Sequence, residues 1–201
     1  MRVGPTLDQI IREYPADARV VFKMHPLSMH PNAQIAAEAA LAAHAQGKFV
    51  EMHEKLLENS RSLSRDTILG LAGDVGLDVE RFTRELDSHA HAAQIESETK
   101  EVVAVGATGT PASFINGRYL RGAKPFAAFK EMIDEELAWV RKGDRPAFKT
   151  GSNVAEASPP RAAAPAPAPV PDRVYDIPVG GAPARGAAKA KVTIQHYLDY
   201  Q

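Results

Sequence analysis

Histidine is the residue type whose number and spacing first suggest chemistry in this sequence. The chain has seven histidines, and two of them form the pair His89-x-His91 in a segment predicted to be helical. Residues i and i+2 of a helix do not share a face, and the chain has no cysteine to complete a zinc site. We therefore expect solvated or helix-capping imidazoles and no metal site. The other histidines are His25, His30, His44, His53 and His196.

The possible nucleophiles of the chain indicate catalysis just as weakly. Ser28 and Ser113 lie in no recognisable arrangement with a general base, and we interpret them as a loop and a strand residue. The chain contains no cysteine, so it has no thiol that could become a reactive thiolate. The sequence therefore predicts no catalytic residue, and we expect no cofactor.

The segment that best defines the structure is Gly106–Gly117, with the sequence GATGTPASFING. It predicts a Gly-rich loop, a Thr110-Pro111 step, a short buried strand and an Asn116-Gly117 hairpin turn. Arg118–Arg121 would form the returning strand. A helix with one apolar face follows, formed by Phe126, Phe129, Ile133, Leu137 and Val140. Loop, strand, turn, strand and helix make the ββα half of a thioredoxin-like fold.

This half of the chain resembles the C-terminal half of DsbA-like, thioredoxin-fold thiol–disulfide oxidoreductases, over the run VGATGTPASFINGRYLRGAKPFAAFKEMIDEEL. In that family the proline after the Gly-Thr step is cis and faces a redox Cys-x-x-Cys motif. The resemblance implies a cis-proline loop at Gly109, Thr110 and Pro111 that binds extended or unfolded polypeptides. The alternative, from the residues alone, is an ordinary trans proline that begins an edge strand.

Residues 31–106 are predicted to be almost entirely helical. Their first part, HPNAQIAAEAALAAHAQGKFVEMHEKLLEN, resembles the helical insertion of DsbA-like proteins. Two acidic groups in and after this region are expected to face solvent: Glu96, Glu98 and Glu101, and then Asp134, Glu135 and Glu136.

The two ends of the chain carry the family's elements in rotated order. Pro5–Tyr14 predicts a helix and Arg19–Met24 a strand, and in the family this helix directly follows the redox motif. The C-terminal run IPVGGAPARGAAKAKVTIQHYLDYQ resembles the segment that precedes the motif. We therefore expect this tail to supply the central strand, at 192–196, between 20–24 and 112–115. A circular permutant and a window from a tandem array of such domains both fit this order.

We divide the chain at its change in composition. Residues 1–142 are predicted to form a thioredoxin-like domain that lacks its first strand. Residues 143–172 form an Ala/Pro-rich linker, because such a composition cannot bury a core. Residues 173–201 form the first-strand region of a DsbA-like domain. Asp199, Tyr200, Gln201 and Met1 would lie near the vestigial active site, beside Thr110 and Pro111.

Composition limits the partners. The formal net charge is −1 and no apolar run approaches the ~18 residues of a membrane span, so neither nucleic acid nor a membrane is expected. The first residues have no apolar signal-peptide core, whereas family resemblance implies a periplasmic or otherwise exported protein. A monomer and a strand-swapped dimer are both compatible with the linker.

The sequence thus predicts an α/β protein with a thioredoxin-like fold and a helical insertion. By resemblance its function is thiol–disulfide exchange on protein substrates, silent in this chain because cysteine is absent. Two alternatives stay open. One is a non-catalytic peptide-binding or chaperone-like module, and the other is a segment of a larger tandem enzyme.

Overall fold

The computed structural model describes residues 3–143, 149–151 and 173–201. Its helices are α1 (Gly4–Glu13), α2 (Ala33–Ala45), α3 (Phe49–Glu58), α4 (Arg65–Asp74), α5 (Val79–Asp87), α6 (Ala92–Ala104) and α7 (Phe126–Lys142). Its strands are β1 (Ala18–Met24), β2 (Ala112–Ile115), β3 (Arg118–Arg121), β4 (Lys149–Gly151), β5 (Arg173–Tyr175), β6 (Ala184–Gly186) and β7 (Val192–Leu198). No helix among these residues is both long enough and apolar enough to cross a membrane.

The strands form one sheet in the order β4-β5-β3-β2-β7-β1-β6. Strand β7, from the C-terminal tail, therefore lies between β2 and β1, as the sequence predicted. It pairs antiparallel with β2, with Ser113 opposite His196 and Ile115 opposite Ile194. Strand β7 is buried along most of its length and is paired on both edges, which is typical of a central strand.

The chain divides into two compact units. The first contains residues 1–23 and 101–197, and the second contains residues 24–100 and 198–201. The core of the first unit includes Phe114, Tyr175 and Tyr197, with Tyr119 packed against it. The second unit is built around α2, whose small alanines let α3 and α5 approach closely.

The hairpin between β2 and β3 follows its sequence signal. Asn116 and Gly117 both have positive φ, as a type I′ turn requires. A Cβ atom on Gly117 would overlap the backbone of Tyr175, so only glycine fits there.

Some predictions for surfaces were wrong. On the apolar face of α7, Phe129, Ile133 and Leu137 are buried, whereas Val140 is exposed. Glu98 and Glu136 are buried, although both were expected to face solvent. Lys149–Gly151, within the predicted linker, form β4, which pairs parallel with β5. The rest of that linker, at 144–148 and 152–172, lies outside the described residues.

Candidate functional site

The loop of residues 108–111 joins α6 to β2 in the first unit. Thr108 and Gly109 are exposed, and Thr110 and Pro111 are half-buried. The Thr110–Pro111 peptide bond is cis. The carbonyl oxygen of Pro111 accepts a hydrogen bond of 3.0 Å from the backbone N–H of Gly122. Within the described part of the chain, the backbone N–H groups of Gly109 and Thr110 have no hydrogen-bond partner.

A rigid part of the sheet supports this loop. Strand β2, which follows it directly, is buried along its whole length and pairs with β3 on one side and β7 on the other. The Phe114 ring packs against Tyr119, Tyr175 and Tyr197, with centroids 5.1, 5.9 and 6.0 Å away. Such aromatic contacts hold the strand in one position. They therefore also fix the end of the loop that joins it.

The side chain of Asn116 holds the start of β7 in register. The Asn116 backbone N–H donates to the Thr193 carbonyl at 2.9 Å, and its Oδ1 accepts from the Thr193 N–H at 2.8 Å. Its Nδ2 donates to Oε2 of Glu136 at 3.0 Å and to the Lys191 carbonyl at 3.2 Å. The carboxylate of Glu136 also lies 3.6 Å from Nη1 of Arg118. These contacts explain why Glu136 is buried, since its charge is paired and hydrogen-bonded.

Residues 199–201 belong to the second unit. Among them, Asp199 makes the most polar contacts. Its carboxylate accepts hydrogen bonds from the backbone N–H of Leu27 at 2.8 Å and from that of Gln201 at 3.1 Å. The Nδ1 atom of His30 lies 2.8 Å from the same carboxylate, whose side chain is only 1% exposed. A buried carboxylate with three partners fixes the chain around it.

Tyr200 and Gln201 make further contacts in this unit. A buried hydrogen bond of 2.9 Å joins the Tyr200 hydroxyl and Nδ1 of His53. Burial raises the pKa of Tyr200 well above its usual value. The Oε1 atom of Gln201 accepts from the backbone N–H of Asn32 at 2.7 Å, just before α2 begins. It thereby satisfies one of the free amides at the start of this helix.

Comparison with known proteins decides the family. Residues 6–134 match the family model described as the DSBA-like thioredoxin domain. The chain belongs to this family. This match agrees with the resemblance deduced from the Gly106–Gly117 segment, and it extends across the helical insertion.

The curated relatives of this DsbA-like chain are longer proteins. A Na(+)/H(+) antiporter NhaA from Herminiimonas arsenicoxydans is 38% identical over 58% of this chain and 18% of its own length. The antiporter NhaA 1 from Salinispora arenicola is 33% identical over 68% of this chain and 21% of its own length. The chain therefore spans about a fifth of the length of these relatives. No solved structure gives a significant match.

The predicted site residues of the DsbA-like chain fall into two groups. Gly109, Thr110 and Pro111 lie in the first unit, and Asp199, Tyr200 and Gln201 lie in the second. Met1 lies outside the described residues. The expectation that Met1 and Gln201 meet beside Thr110 and Pro111 therefore stays a prediction.

A buried serine–histidine pair escaped the sequence analysis. Ser113 Oγ and His196 Nδ1 are joined by a hydrogen bond of 2.9 Å across β2 and β7, so the expectation that Ser113 has no neighbouring base was wrong. Both residues are buried inside the sheet, and Phe22 packs edge-on against the His196 ring. A nucleophile must be reachable by its substrate, so this pair joins two strands rather than catalysing a reaction.

A partly buried ion pair was also missed from the sequence, because Glu101 was expected to be solvated. In the first unit, Nζ of Lys23 lies 2.5 Å from Oε2 of Glu101, and the lysine side chain is 1% exposed. The Tyr197 hydroxyl donates to the same carboxylate at 3.2 Å. In the second unit, Glu98 accepts from the Met24 backbone N–H at 2.6 Å and from Gln94 at 2.9 Å. Helical spacing alone could not reveal Lys23, Met24 and Tyr197 as partners, since they lie on strands distant in sequence.

The paired histidines each have a carboxylate neighbour. His89 Nδ1 lies 3.0 Å from Glu38, and His91 Nε2 lies 2.9 Å from Glu85. Among the described residues, no cluster of three or more histidine or acidic side chains has a geometry that could hold a metal ion.

Proposed function

We propose that this chain is a DsbA-like module that binds extended polypeptides at the loop of residues 108–111 without exchanging disulfides. Membership of a thiol–disulfide oxidoreductase family supports a polypeptide ligand. The amino-acid composition supports the absence of disulfide exchange. Disulfide exchange requires a thiolate that attacks a sulfur atom, and these 201 residues contain no cysteine.

The observation that carries the binding proposal is the free backbone of the loop. The N–H groups of Gly109 and Thr110, without partners among the described residues, are available to an incoming strand. An extended peptide can pair with such groups in the way a strand is added to a sheet. The neighbouring side chains are small, so a peptide backbone can approach closely. Strand β2 cannot itself accept the peptide, because β3 and β7 occupy both of its edges.

Gly109 offers a sharp test. A Cβ atom added there would meet nothing within 4 Å, so Gly109→Val should preserve the fold while obstructing the approach of a peptide. Gly181→Val is the matched control, because the surroundings of Gly181 are equally open and it lies in the turn before β6. Binding of a fluorescent, cysteine-free unfolded polypeptide can be followed by anisotropy.

We expect Gly109→Val to weaken binding about tenfold or more, the effect of losing one or two backbone hydrogen bonds, and Gly181→Val to bind like the wild type. A ligand N-methylated along its backbone should bind as poorly as Gly109→Val, since it cannot form a strand pair. Equal affinity of Gly109→Val and the wild type would contradict the proposal.

Thiol–disulfide exchange is the second candidate, in a form of the chain that supplies cysteines. The support is the fixed geometry of Asp199, Tyr200 and Gln201, because in the family these positions precede the redox motif. Extending the chain past Gln201 with Cys-Pro-Tyr-Cys should produce exchange faster than a free peptide of that sequence. Equal rates would argue that no redox site is preserved. Since the chain spans about a fifth of its longer relatives, we also retain the alternative that it works as a segment of a larger protein.

A further inference from the structure

We infer that the C-terminal tail, residues 173–201, is a separable ligand of the rest of the chain and that the tail of a second copy can take its place. The tail carries β5, β6 and β7, and each of these pairs with a strand from residues 1–151. Among the described residues, the strand pairs between the tail and the rest of the chain can form equally well with the tail of another copy.

In the first unit the tail is held at three places. Strand β5 pairs with β3 through Arg118 and Val174, and β6 pairs with β1 through Val20 and Arg185. Strand β7 pairs with β2 over four residues of each strand and buries the Tyr197 side chain completely. Two ion pairs add to these contacts, Arg185 with Asp8 at 2.6 Å and Lys191 with Asp17 at 2.9 Å.

In the second unit, the side chains of residues 199–201 make specific hydrogen bonds. Asp199 accepts a hydrogen bond from the Leu27 N–H, and Gln201 accepts one from the Asn32 N–H. The Tyr200 hydroxyl is hydrogen-bonded to Nδ1 of His53. An unrelated strand placed here would not make these three hydrogen bonds. Losing the buried bond between Tyr200 and His53 should disfavour binding most, whereas the contacts at the partly buried amides of Leu27 and Asn32 contribute less. The acceptor therefore favours a strand followed by Asp-Tyr-Gln, and the tail of a second copy has that sequence.

The covalent connection determines whether the chain's own tail or a free tail pairs with the acceptor strands. Residues 155–171, which consist mainly of alanine and proline, connect the tail to the rest of the chain. A covalent connection gives the chain's own tail an advantage, which we take as an effective concentration of about 1 mM. A free tail makes the same contacts without this advantage, so it should compete with half-saturation near the same concentration. If a substitution weakens the attached tail by some factor, half-saturation by the native free tail should fall by that factor.

The test uses the full chain and a labelled synthetic peptide of residues 173–201. We expect half-saturation near 1 mM for the wild type. It should fall about tenfold in Tyr200→Phe, which loses one hydrogen bond, and further in Asp199→Ala, which loses the contacts of a buried carboxylate. If Asp199→Ala does not fold alone, the peptide should restore its native amide NMR spectrum in a saturable manner.

Two peptide controls complete the experiment. A scrambled peptide should not bind, and a peptide carrying Asp199→Ala should bind at least tenfold more weakly than the native one. The inference would be overturned if half-saturation were the same for all three chains, or if the scrambled peptide competed as well as the native tail. Neither result depends on the loop of residues 108–111, so the test is independent of the proposed function.

Discussion

The Tyr200 hydroxyl lies 2.9 Å from Nδ1 of His53, and both side chains are buried. This contact ties the second-last residue of the chain to α3. The His53 ring also stacks on Phe49, with centroids 5.4 Å apart. The tail is thus fixed by a polar contact inside an aromatic cluster, where neither partner can exchange the other for water.

Tyr200→Phe should lower the free energy of unfolding by about 1–2 kcal/mol, because it leaves the buried imidazole of His53 without the hydroxyl. Urea unfolding followed by circular dichroism measures this change. Tyr14→Phe is the control, since the Tyr14 hydroxyl contacts Asp134 and Lys130 in an exposed cluster. It should change stability by no more than about 0.5 kcal/mol. Equal losses in the two variants would contradict the structural role of Tyr200.

Alkaline pH should destabilise the wild type more than Tyr200→Phe. Burial raises the native pKa of Tyr200, whereas the unfolded residue titrates near pH 10. As pH rises from about 10 towards the native pKa, the unfolded state loses its proton first, so stability falls. The pKa values of Tyr14 and Tyr119 are also raised, but both residues are present in both proteins. Parallel stability curves above pH 10 would refute this assignment.

Glu136 and Glu135 form a matched pair for testing buried charge. Glu136 is fully buried and bound by Asn116, whereas Glu135 is 44% exposed and lies 2.8 Å from Arg118. Glu136→Ala should cost about 3–5 kcal/mol, because it removes one partner of a buried polar network. Glu135→Ala should cost no more than about 1 kcal/mol. Thermal and urea unfolding of the two variants compare these losses directly, and similar losses would show that the Asn116 contact does not stabilise the chain.

Removing residues 173–201 should abolish cooperative unfolding. The deletion takes away the central strand β7, exposes the edges of β1 and β2, and removes Ile194 and Tyr197 from the interior. Denaturant unfolding followed by both fluorescence and circular dichroism tests for one shared transition. A shortened chain that unfolds as sharply as the full one would show that the sheet does not need its tail.

Much of the fold could be predicted from local signals. The hairpin turn requires positive φ at two successive residues, and Asn116-Gly117 is one of the few residue pairs that adopt it readily. The hairpin and both of its strands were therefore placed correctly. The tail strand was recognised because Val192, Ile194 and their neighbours form an apolar β segment that needs burial. Family resemblance then gave its place in the sheet, which composition alone could not have done.

The polar interior could not be predicted in the same way. Glu98, Glu101 and Glu136 lie on helices with many exposed charges, and their partners are distant in sequence. A sequence pattern shows that a helix face is charged, but not that a strand amide or a buried lysine will meet it. The same reason hid the Ser113–His196 pair, whose members meet only when β2 and β7 align.

The central claim is that this chain binds polypeptides but does not exchange disulfides. One titration tests both parts, using a labelled unfolded polypeptide that contains a single disulfide. Anisotropy reports binding, and mass spectrometry of the same samples reports the state of the disulfide. We predict saturable binding with the ligand disulfide unchanged beyond the buffer background, because the chain has no cysteine to attack it. Disulfide exchange above background, or no saturable binding, would contradict the account.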